Sequence, residues 1–353
     1  MPEPERKITA ENIRNYQAAY YELYDLNDGF AYALAKLGMP GTRTGERKRI
    51  KGIETRETED GSIIEVYGFF GEGQDYLDSG EYDKAINSCT IAIELNPQHS
   101  YAYFVRGMAH LMKGDYEQAN DDFWEAVELN PLRIADLDEE SREFVDKMPN
   151  GVQGIMADCL GKSYQHIGIS CHKLDWLDDA MDAYNEAIKI IQDDAKLYYY
   201  RATIHVEFDE PDDAIADCDK ALALLPDLVA AYSTRGSSYQ MKDEYEKAIA
   251  DFNRFLSEKP NSPATLSSRS TCYHKLKDYS AAISDLNKAI KINPAFKEGY
   301  YNRAVTLMQM EEYEKALDDI NETIRLDEEN YDAIYLRKTI QEFVSARHAE
   351  KQD

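Results

Sequence analysis

The chain has 353 residues, and its 67 Asp and Glu against 40 Lys and Arg give a formal net charge of −27. Nucleic acid and anionic membranes would both repel such a chain, so neither is an expected partner. A hydrophobic fraction of 43% excludes global disorder, and no stretch approaches the ~20 apolar residues of a membrane span.

The first segment, residues 1–65, is predicted to be a helical extension. Thr9 can cap a helix that runs from Ala10 towards Leu26, and a second helical stretch ends at Pro40. The start of the chain lacks the apolar core of a secretory signal peptide. The five cysteines are odd in number and contain no Cys-x-x-Cys pair, which predicts reduced thiols and a cytoplasmic location.

The end of this extension carries the one clearly basic run, at residues 42–56. A solvated loop is favoured there over a nucleic-acid patch, because no aromatic residues are interleaved. Glu59-Asp60-Gly61 favours a small β-hairpin that pairs residues 53–58 with 62–67.

A 34-residue period begins at residue 66. Alanine occupies the twentieth position of seven units, at Ala85, Ala119, Ala180, Ala214, Ala248, Ala282 and Ala316. One step measures 61 residues, which is 34 plus 27 and marks a 27-residue insertion at 134–160. The units are 66–99, 100–133, 161–194, 195–228, 229–262, 263–296 and 297–330.

Large and small residues alternate within each unit. The fourth position is aromatic in six of the seven units, the eighth is small, and the twenty-seventh is alanine in five. Small residues let two helices approach closely, and large residues fill the space beside them. A polar break such as Gly114-Asp115 separates the two predicted helices of a unit.

This pattern resembles the tetratricopeptide repeat (TPR) family over residues 66–330. The resemblance implies an all-α, right-handed superhelical solenoid of antiparallel helix pairs, with units 1–2 at 66–133 and units 3–7 at 161–330. It also implies that the first helix of each pair lines a concave groove. Phe255 departs from the small twenty-seventh residue, which predicts a change of superhelical pitch near units five and six.

Arginine and aspartate recur together in the period. Five units carry Arg at position 7 and Asp 16 residues later: Arg106/Asp122, Arg201/Asp217, Arg235/Asp251, Arg269/Asp285 and Arg303/Asp319. Where the arginine is absent, at Glu72 and Ile167, the aspartate is absent too. A structural ion pair between the two helices is favoured over five arginines that bind an anionic ligand, because guanidinium holds a carboxylate through two donors.

The remaining segments are predicted to be helical. The acidic run Asp136–Glu140 in the insertion lacks the spacing of a calcium loop, so an acidic helix start is favoured. Pro149-Asn150-Gly151 is predicted to turn the chain back into unit 3. Residues 331–353 begin like an eighth unit and become polar, as a C-terminal cap helix of a solenoid does.

No catalytic or metal-binding motif stands out, so no cofactor or metal is expected and an enzyme is not predicted. His166, Cys171 and His172 are close in sequence, but such spacings point side chains apart on a helix. Cys171 falls at a core position, and His110 and His205 at the same position of other units are interpreted as packing residues.

The resemblance places positions 2, 5, 9, 12 and 13 of each first helix in the groove. Its first end is apolar, with Phe70, Tyr101, Phe104, Met108 and Met112. Either a hydrophobic ligand binds there or, as favoured, the helical segment 10–38 covers it. The rest is polar and gives a candidate peptide-binding groove of Lys162, Gln165, Tyr199, Thr203, Ser233, Ser237, Gln240, Ser267, Thr271, His274 and Tyr301. A wet, unoccupied groove explains the same composition.

The predicted function is a non-catalytic scaffold or adaptor that binds a peptide segment of another protein. The alternative is a regulatory or assembly subunit that binds a folded partner through the acidic outer surface. The Lys and Asn residues with which chaperone-tail binders of the family clamp a carboxylate are missing, so acidic chaperone tails are not expected to bind. Self-association stays open. Residues 229–296 carry a charge of +3 and differ electrostatically from the rest.

Overall fold

The structure is a computed structural model that describes residues 71–95, 97, 99–130, 132–133 and 150–350. Every regular element in these ranges is an α-helix. The predictions for residues 1–65, for Phe70 and for Asp136–Glu140 lie outside the described residues, as does the predicted β-hairpin. The all-α fold of consecutive helix pairs is confirmed for the described repeats.

The chain divides into two compact units, Met1–Gln192 and Asp193–Asp353. In the first, residues 71–78 are helical, and the helices Tyr82–Leu95, Ser100–Lys113, Tyr116–Glu128, Asn150–Lys173 and Leu177–Ile190 follow. The second contains Ala195–Glu207, Pro211–Leu224, Val229–Met241, Tyr245–Glu258, Pro263–Lys275, Tyr279–Ile292, Lys297–Gln309, Tyr313–Leu326 and Tyr331–Glu350. Each 34-residue repeat contributes two of these helices, and the last helix follows repeat 7.

The first helix of repeat 3 is longer than the others. It spans 24 residues from Asn150, so Asn150 and Gly151, which were predicted to turn the chain, lie in the helix instead. Met156, Cys159 and Leu160 are buried at helical spacing, which explains why the helix extends into the insertion. None of the helices in the described ranges is both long and apolar enough to cross a membrane.

The large-and-small pattern positions the two helices of each repeat. Where position 24 is aromatic, position 8 is glycine: Gly107 with Phe123, Gly168 with Tyr184, and Gly236 with Phe252. A Cβ atom at these glycines would come within 2.9, 2.5 and 2.8 Å of the respective ring. In repeats 4, 6 and 7 position 24 is smaller and position 8 has a side chain: Ala202 with Cys218, Ser270 with Leu286, and Ala304 with Ile320. Repeat 1 keeps Gly73 opposite Cys89, whose sulfur would lie 2.4 Å from an added Cβ atom. The two positions therefore share one volume.

The turn between the two helices has the same backbone in every repeat. Position 15 is left-handed in all seven, with φ between 58° and 86°, at Gly80, Gly114, Asp175, Asp209, Asp243, Lys277 and Glu311. The next N–H donates to the carbonyl oxygen five residues earlier, as from Asp115 to His110 at 2.9 Å. Since a non-glycine residue pays about 1–2 kcal/mol for this conformation, the packing of the helix pair imposes the turn.

Candidate binding surfaces

All five predicted Arg–Asp pairs form, and each is bidentate. In repeat 5, Arg235 Nε donates to one Asp251 oxygen at 2.7 Å and Nη2 donates to the other at 2.8 Å. The same two bonds occur in the pairs Arg106–Asp122, Arg201–Asp217, Arg269–Asp285 and Arg303–Asp319. The Asp251 side chain is only 9% exposed. The hydrogen bond with Asp251 also raises the pKa of Arg235.

A third bond of these arginines crosses the repeat boundary. Arg106 Nη1 donates to Thr90 at 3.1 Å, and Arg303 Nη1 donates to Asn287 at 2.6 Å. Arg235 and Arg269 donate in the same way to position 25 of the preceding repeat, at Asp219 and Asn253. These acceptors were not predicted, although the sequence carried a signal. Position 25 is polar in six repeats, and its exception, Trp124, precedes Ile167, which replaces the arginine.

An aromatic ring completes the surroundings of each arginine. The ring of position 4 lies 5.5–5.9 Å from the guanidinium at Tyr103, Tyr198, Tyr232 and Tyr300. Repeat 6 has Leu266 at position 4, and there Tyr273 supplies the ring at 5.8 Å from Arg269. The guanidinium groups are held by carboxylates, neighbouring polar groups and rings of the protein itself, which supports the structural interpretation over an anion-binding one.

The candidate groove residues of repeats 4–7 lie on the first helices of the second compact unit. Eight of the nine are partly exposed: Tyr199, Thr203, Ser233, Ser237, Gln240, Thr271, His274 and Tyr301. Ser267 is buried, and its hydroxyl accepts a bond from Asn302 Nδ2 at 2.9 Å. Its role is therefore to join the first helices of repeats 6 and 7.

A second bond joins the same two helices and orients a histidine. The Thr306 hydroxyl donates to the Asn302 carbonyl at 2.8 Å, so its oxygen accepts from His274 Nδ1–H at 3.1 Å. This assigns the tautomer of His274 and leaves its Nε2 as an acceptor. Burial lowers the pKa of His274, so the ring is neutral at pH 7. Asn302 and Thr306 lie at positions 6 and 10, outside the stripe that was predicted from the sequence.

The free hydrogen-bonding groups concentrate on repeat 5. Ser233 and Ser237 have no hydrogen-bond partner among the described residues, whereas the Thr203 and Thr271 hydroxyls donate to carbonyls of their own helices. Gln240 only accepts a long bond from a cysteine thiol, at 3.7 Å, so its amide nitrogen stays available.

Two tyrosines lie on the first helices that precede and follow these free groups. The Tyr199 ring lies 5.4 Å from the Tyr200 ring. Burial raises the pKa of both Tyr199 and Tyr301, so both phenols remain protonated and can donate a hydrogen bond at neutral pH.

The groove candidates of repeats 1–3 lie in the first compact unit, and more of them are buried or in contact with other residues of the protein. Lys162 pairs with Asp158 at 2.6 Å, and Gln165 is buried. At the apolar end, Met112 is 55% exposed. Tyr101 and Met108 are partly buried, and the Tyr101 ring contacts that of Phe104 at 5.5 Å.

The aromatic cluster of this unit continues into repeat 3. His166 stacks on Phe123 at 5.3 Å and lies 5.8 Å from Phe104. Its buried Nδ1 has no hydrogen-bond partner in the described part of the chain. Burial lowers the pKa of His166 to about 4, and the nearby charge of Lys162 adds to this. The thiol of Cys171 donates to Asn120 at 3.4 Å, as a core side chain.

His205 has polar partners, which corrects its interpretation as a packing residue. Its Nδ1 lies 2.7 Å from Glu210 and its Nε2 lies 3.7 Å from Asp217. His205, Glu210 and Asp213 form the one group in the described ranges whose atoms could hold a metal ion. Both acids are solvent-exposed, and the bond between His205 and Glu210 already occupies one of the ligand atoms.

Family models of the tetratricopeptide repeat match four stretches of the chain. They cover residues 70–133, 161–194, 272–311 and 298–330. No curated protein sequence is significantly similar to the chain. The matched stretches include units 2, 3 and 7 of the period and most of units 1 and 6.

Solved structures show the same fold at low identity. A tetratricopeptide repeat protein from Parabacteroides merdae superposes with a TM-score of 0.53 and 16% identity, over 79% of this chain and 99% of its own. The APC/C hetero-tetramer Cut9–Hcn1 gives a TM-score of 0.55 and 16% identity over 94% of this chain. The match spans 60% of that protein's own length. At these identities the likeness concerns the fold alone.

Proposed function

Because the chain belongs to the tetratricopeptide repeat family, we propose that it is a protein–protein interaction scaffold that binds an extended peptide segment of a partner. The proposed site is the stripe of repeats 4–7 on the first helices. One observation carries the proposal: Ser233, Ser237 and Gln240 present, on one helix face, polar groups that no described residue binds. Tyr199 and Tyr301 lie on the first helices of repeats 4 and 7.

The chemistry of this stripe suits an extended backbone. Serine side chains are short, so a peptide can approach the helix and pair its N–H and C=O groups with hydroxyls and the Gln240 amide. Tyrosines supply contact area at a low entropic cost and are common anchors of peptide binding. The neutral His274 offers Nε2 as an additional acceptor.

We propose a non-catalytic role and a cytoplasmic location. Members of the family act as scaffolds, and the five cysteines of this chain are free and buried. Burial raises the pKa of Cys89 and Cys218 to about 12, so both thiols are protonated and unreactive at neutral pH. Such thiols fit core packing in a reducing compartment.

Peptide selection tests the proposal without a known partner. Peptides selected from a random display library against the whole chain are measured by calorimetry against Tyr199→Ala, Tyr301→Ala and Ser233→Ala/Ser237→Ala. We expect each tyrosine variant to weaken binding about tenfold, the typical loss at an anchor residue, with little dependence on salt.

The matched control is Tyr331→Ala on the last helix, whose side chain is 81% exposed and lies outside the stripe. It should leave the affinity unchanged. Selected peptides that bind both tyrosine variants as tightly as the unaltered chain would exclude the stripe as the binding site.

A further inference from the structure

The chain has two tryptophans, and both occupy positions that are polar in the other repeats. Trp124 is at position 25 of repeat 2, where the other repeats have Thr90, Asn185, Asp219, Asn253, Asn287 and Asn321. Trp176 is at position 16 of repeat 3, where the others have Glu81, Asp115, Glu210, Glu244, Asp278 and Glu312. Their side chains are 42% and 43% exposed, and both belong to the first compact unit.

Packing within the fold explains only in part why a tryptophan occupies position 124. Its ring meets Tyr164 edge-on at 6.1 Å, and Ile167 beside it needs no polar acceptor because it replaces the arginine. A large aromatic side chain with an exposed face is the residue type that anchors protein interfaces.

Exposed carboxylates lie close to both tryptophans in the sequence, and those near Trp124 share its helix face. Glu117, Asp121 and Glu128 lie seven and three residues before and four residues after Trp124, on the same face of the helix, and all three are exposed. None has an ion-pair partner among the described residues, and helix Tyr116–Glu128 contains no Lys or Arg.

Trp176 has acidic neighbours in the sequence, at the N-cap of helix Leu177–Ile190. Asp175, Asp178, Asp179 and Asp182 lie within six residues of it, are exposed and have no ion pair in the described ranges. Some exposed acids elsewhere are paired, as Asp83 is with Lys113 at 2.8 Å, and others, such as Glu328 and Glu329, have no ion pair in the described ranges. Repeats 2 and 3 differ in that exposed, unpaired acids lie near an exposed tryptophan.

We propose that this tryptophan surface, defined as Trp124, Trp176 and the seven carboxylates just named, binds an arginine- or lysine-rich segment of a partner protein. A guanidinium or ammonium group is attracted to the face of an indole ring and gains most from it when partly desolvated. The flanking carboxylates attract and pair with the other cations of the same segment. The surface comprises residues of helix Tyr116–Glu128 in repeat 2 and of the turn and the start of helix Leu177–Ile190 in repeat 3, so it shares no residue with the peptide-binding stripe.

The two tryptophans are also the reporters of the test. A short Arg–Ser repeat peptide is titrated into the full chain while tryptophan fluorescence is recorded, and the same peptide with citrulline in place of arginine is the uncharged control. We expect a saturable change with the arginine peptide that weakens steeply as salt is raised. No change, or an equal change with citrulline, overturns the proposal.

Two variants assign the binding to the indoles. Trp124→Asn introduces the asparagine that repeats 3, 5, 6 and 7 carry at position 25. Trp176→Gln introduces the uncharged counterpart of the glutamate that other repeats carry at position 16. Both should fold as the unaltered chain does by circular dichroism. Each should lower the affinity for the peptide about fivefold in calorimetry, the loss expected when a partly desolvated cation–π contact is removed.

Matched controls come from the second compact unit. Leu225→Asn removes an apolar side chain of the same 43% exposure and should change nothing. Asp121→Asn/Glu128→Gln should weaken binding, whereas Glu328→Gln/Glu329→Gln, which neutralises two exposed acids outside the surface, should have a much smaller effect. Equal effects of the two pairs would show a general response to net charge and would overturn the assignment.

Discussion

Repeat 3 and repeats 4–7 build the same helix pair with different chemistry at its centre. Repeats 4–7 hold an arginine at position 7 against an aspartate at position 23. Repeat 3 has Ile167 and Ala183 there, both buried. The turn of repeat 3 nevertheless keeps the left-handed residue, Asp175, that all the repeats share. The fold therefore requires the volume at these positions to be filled, and either chemistry is compatible with it.

The comparison also shows that three positions change together. An arginine at position 7 comes with an aspartate at 23 and, in the preceding repeat, a polar residue at 25. The isoleucine of repeat 3 comes with an alanine and with Trp124. A buried guanidinium that loses one of its acceptors still carries the free-energy cost of desolvation. A repeat that has the arginine without its acceptors is therefore less stable than one with the full Arg–Asp–polar set or the full Ile–Ala–Trp set. Variants with a complete set should therefore be more stable than variants with an incomplete one.

Arg235→Ala should have the largest effect on stability. It leaves the Asp251 carboxylate, 9% exposed, without its two bonds, and we expect a loss of roughly 3 kcal/mol in the free energy of unfolding. Urea denaturation measures it. The control Arg254→Ala removes an arginine that is 39% exposed and paired with the exposed Glu258, and should change the stability far less, because water screens exposed ion pairs.

Replacing both buried partners should then restore what the single substitution loses. Arg235→Ile combined with Asp251→Ala copies positions 7 and 23 of repeat 3 into repeat 5 and leaves only Asp219, 54% exposed, without the arginine. We expect this variant to recover most of the stability, because apolar replacements of buried ion pairs are often neutral. If the double variant is as unstable as Arg235→Ala, the two chemistries are not interchangeable.

The shared volume of positions 8 and 24 predicts a smaller effect. A Cβ at residue 236 would lie 2.8 Å from the Phe252 ring, so Gly236→Ala should cost about 1–3 kcal/mol through overpacking. Adding Phe252→Leu reproduces the pairing of Ser270 with Leu286 and should return part of this loss in thermal melts. Equal melting temperatures of Gly236→Ala and the unaltered chain would contradict the steric argument.

The sequence predicted those features that the period repeats. The helix pairs and the five ion pairs each occur several times, so the repeated copies exclude a chance coincidence. The sequence analysis noted the small eighth position but not its relation to position 24, which the packing of the two helices shows. The bond from Arg303 to Asn287 was missed because it crosses the repeat boundary. The helix start at Asn150 was missed because the insertion has no second copy for comparison.

The candidate site was less predictable than the fold. A stripe of positions identifies which face of a helix a residue occupies, but not how closely the next helix approaches it. Ser267 and Gln165 are buried for that reason, and Asn302 binds Ser267 from outside the stripe. Exposure of a groove side chain depends on the neighbouring repeat, where residue types vary from unit to unit.

The last expected effect on stability is pH-dependent and concerns His166, in the aromatic cluster of the first compact unit. Burial lowers the pKa of His166 to about 4, below the value of about 6.5 for an unfolded histidine. Between these values the unfolded chain binds more protons, so the contribution of His166 to stability is present above pH 6.5 and is lost as the pH falls. His166→Phe keeps the stack on Phe123 and removes the titrating group.

The variant should therefore lose less stability than the unaltered chain between pH 7 and pH 5, by roughly 2 kcal/mol in urea denaturation. Other buried groups, such as His99 with a pKa lowered to about 4, remain in both proteins and cancel in the comparison. An identical acid-induced loss in the two proteins would mean that His166 is already free to take up a proton in the folded chain. In that case the Phe104–Phe123–His166 cluster would be open to water, and the first unit would differ from the second in its exposure as well as in its chemistry.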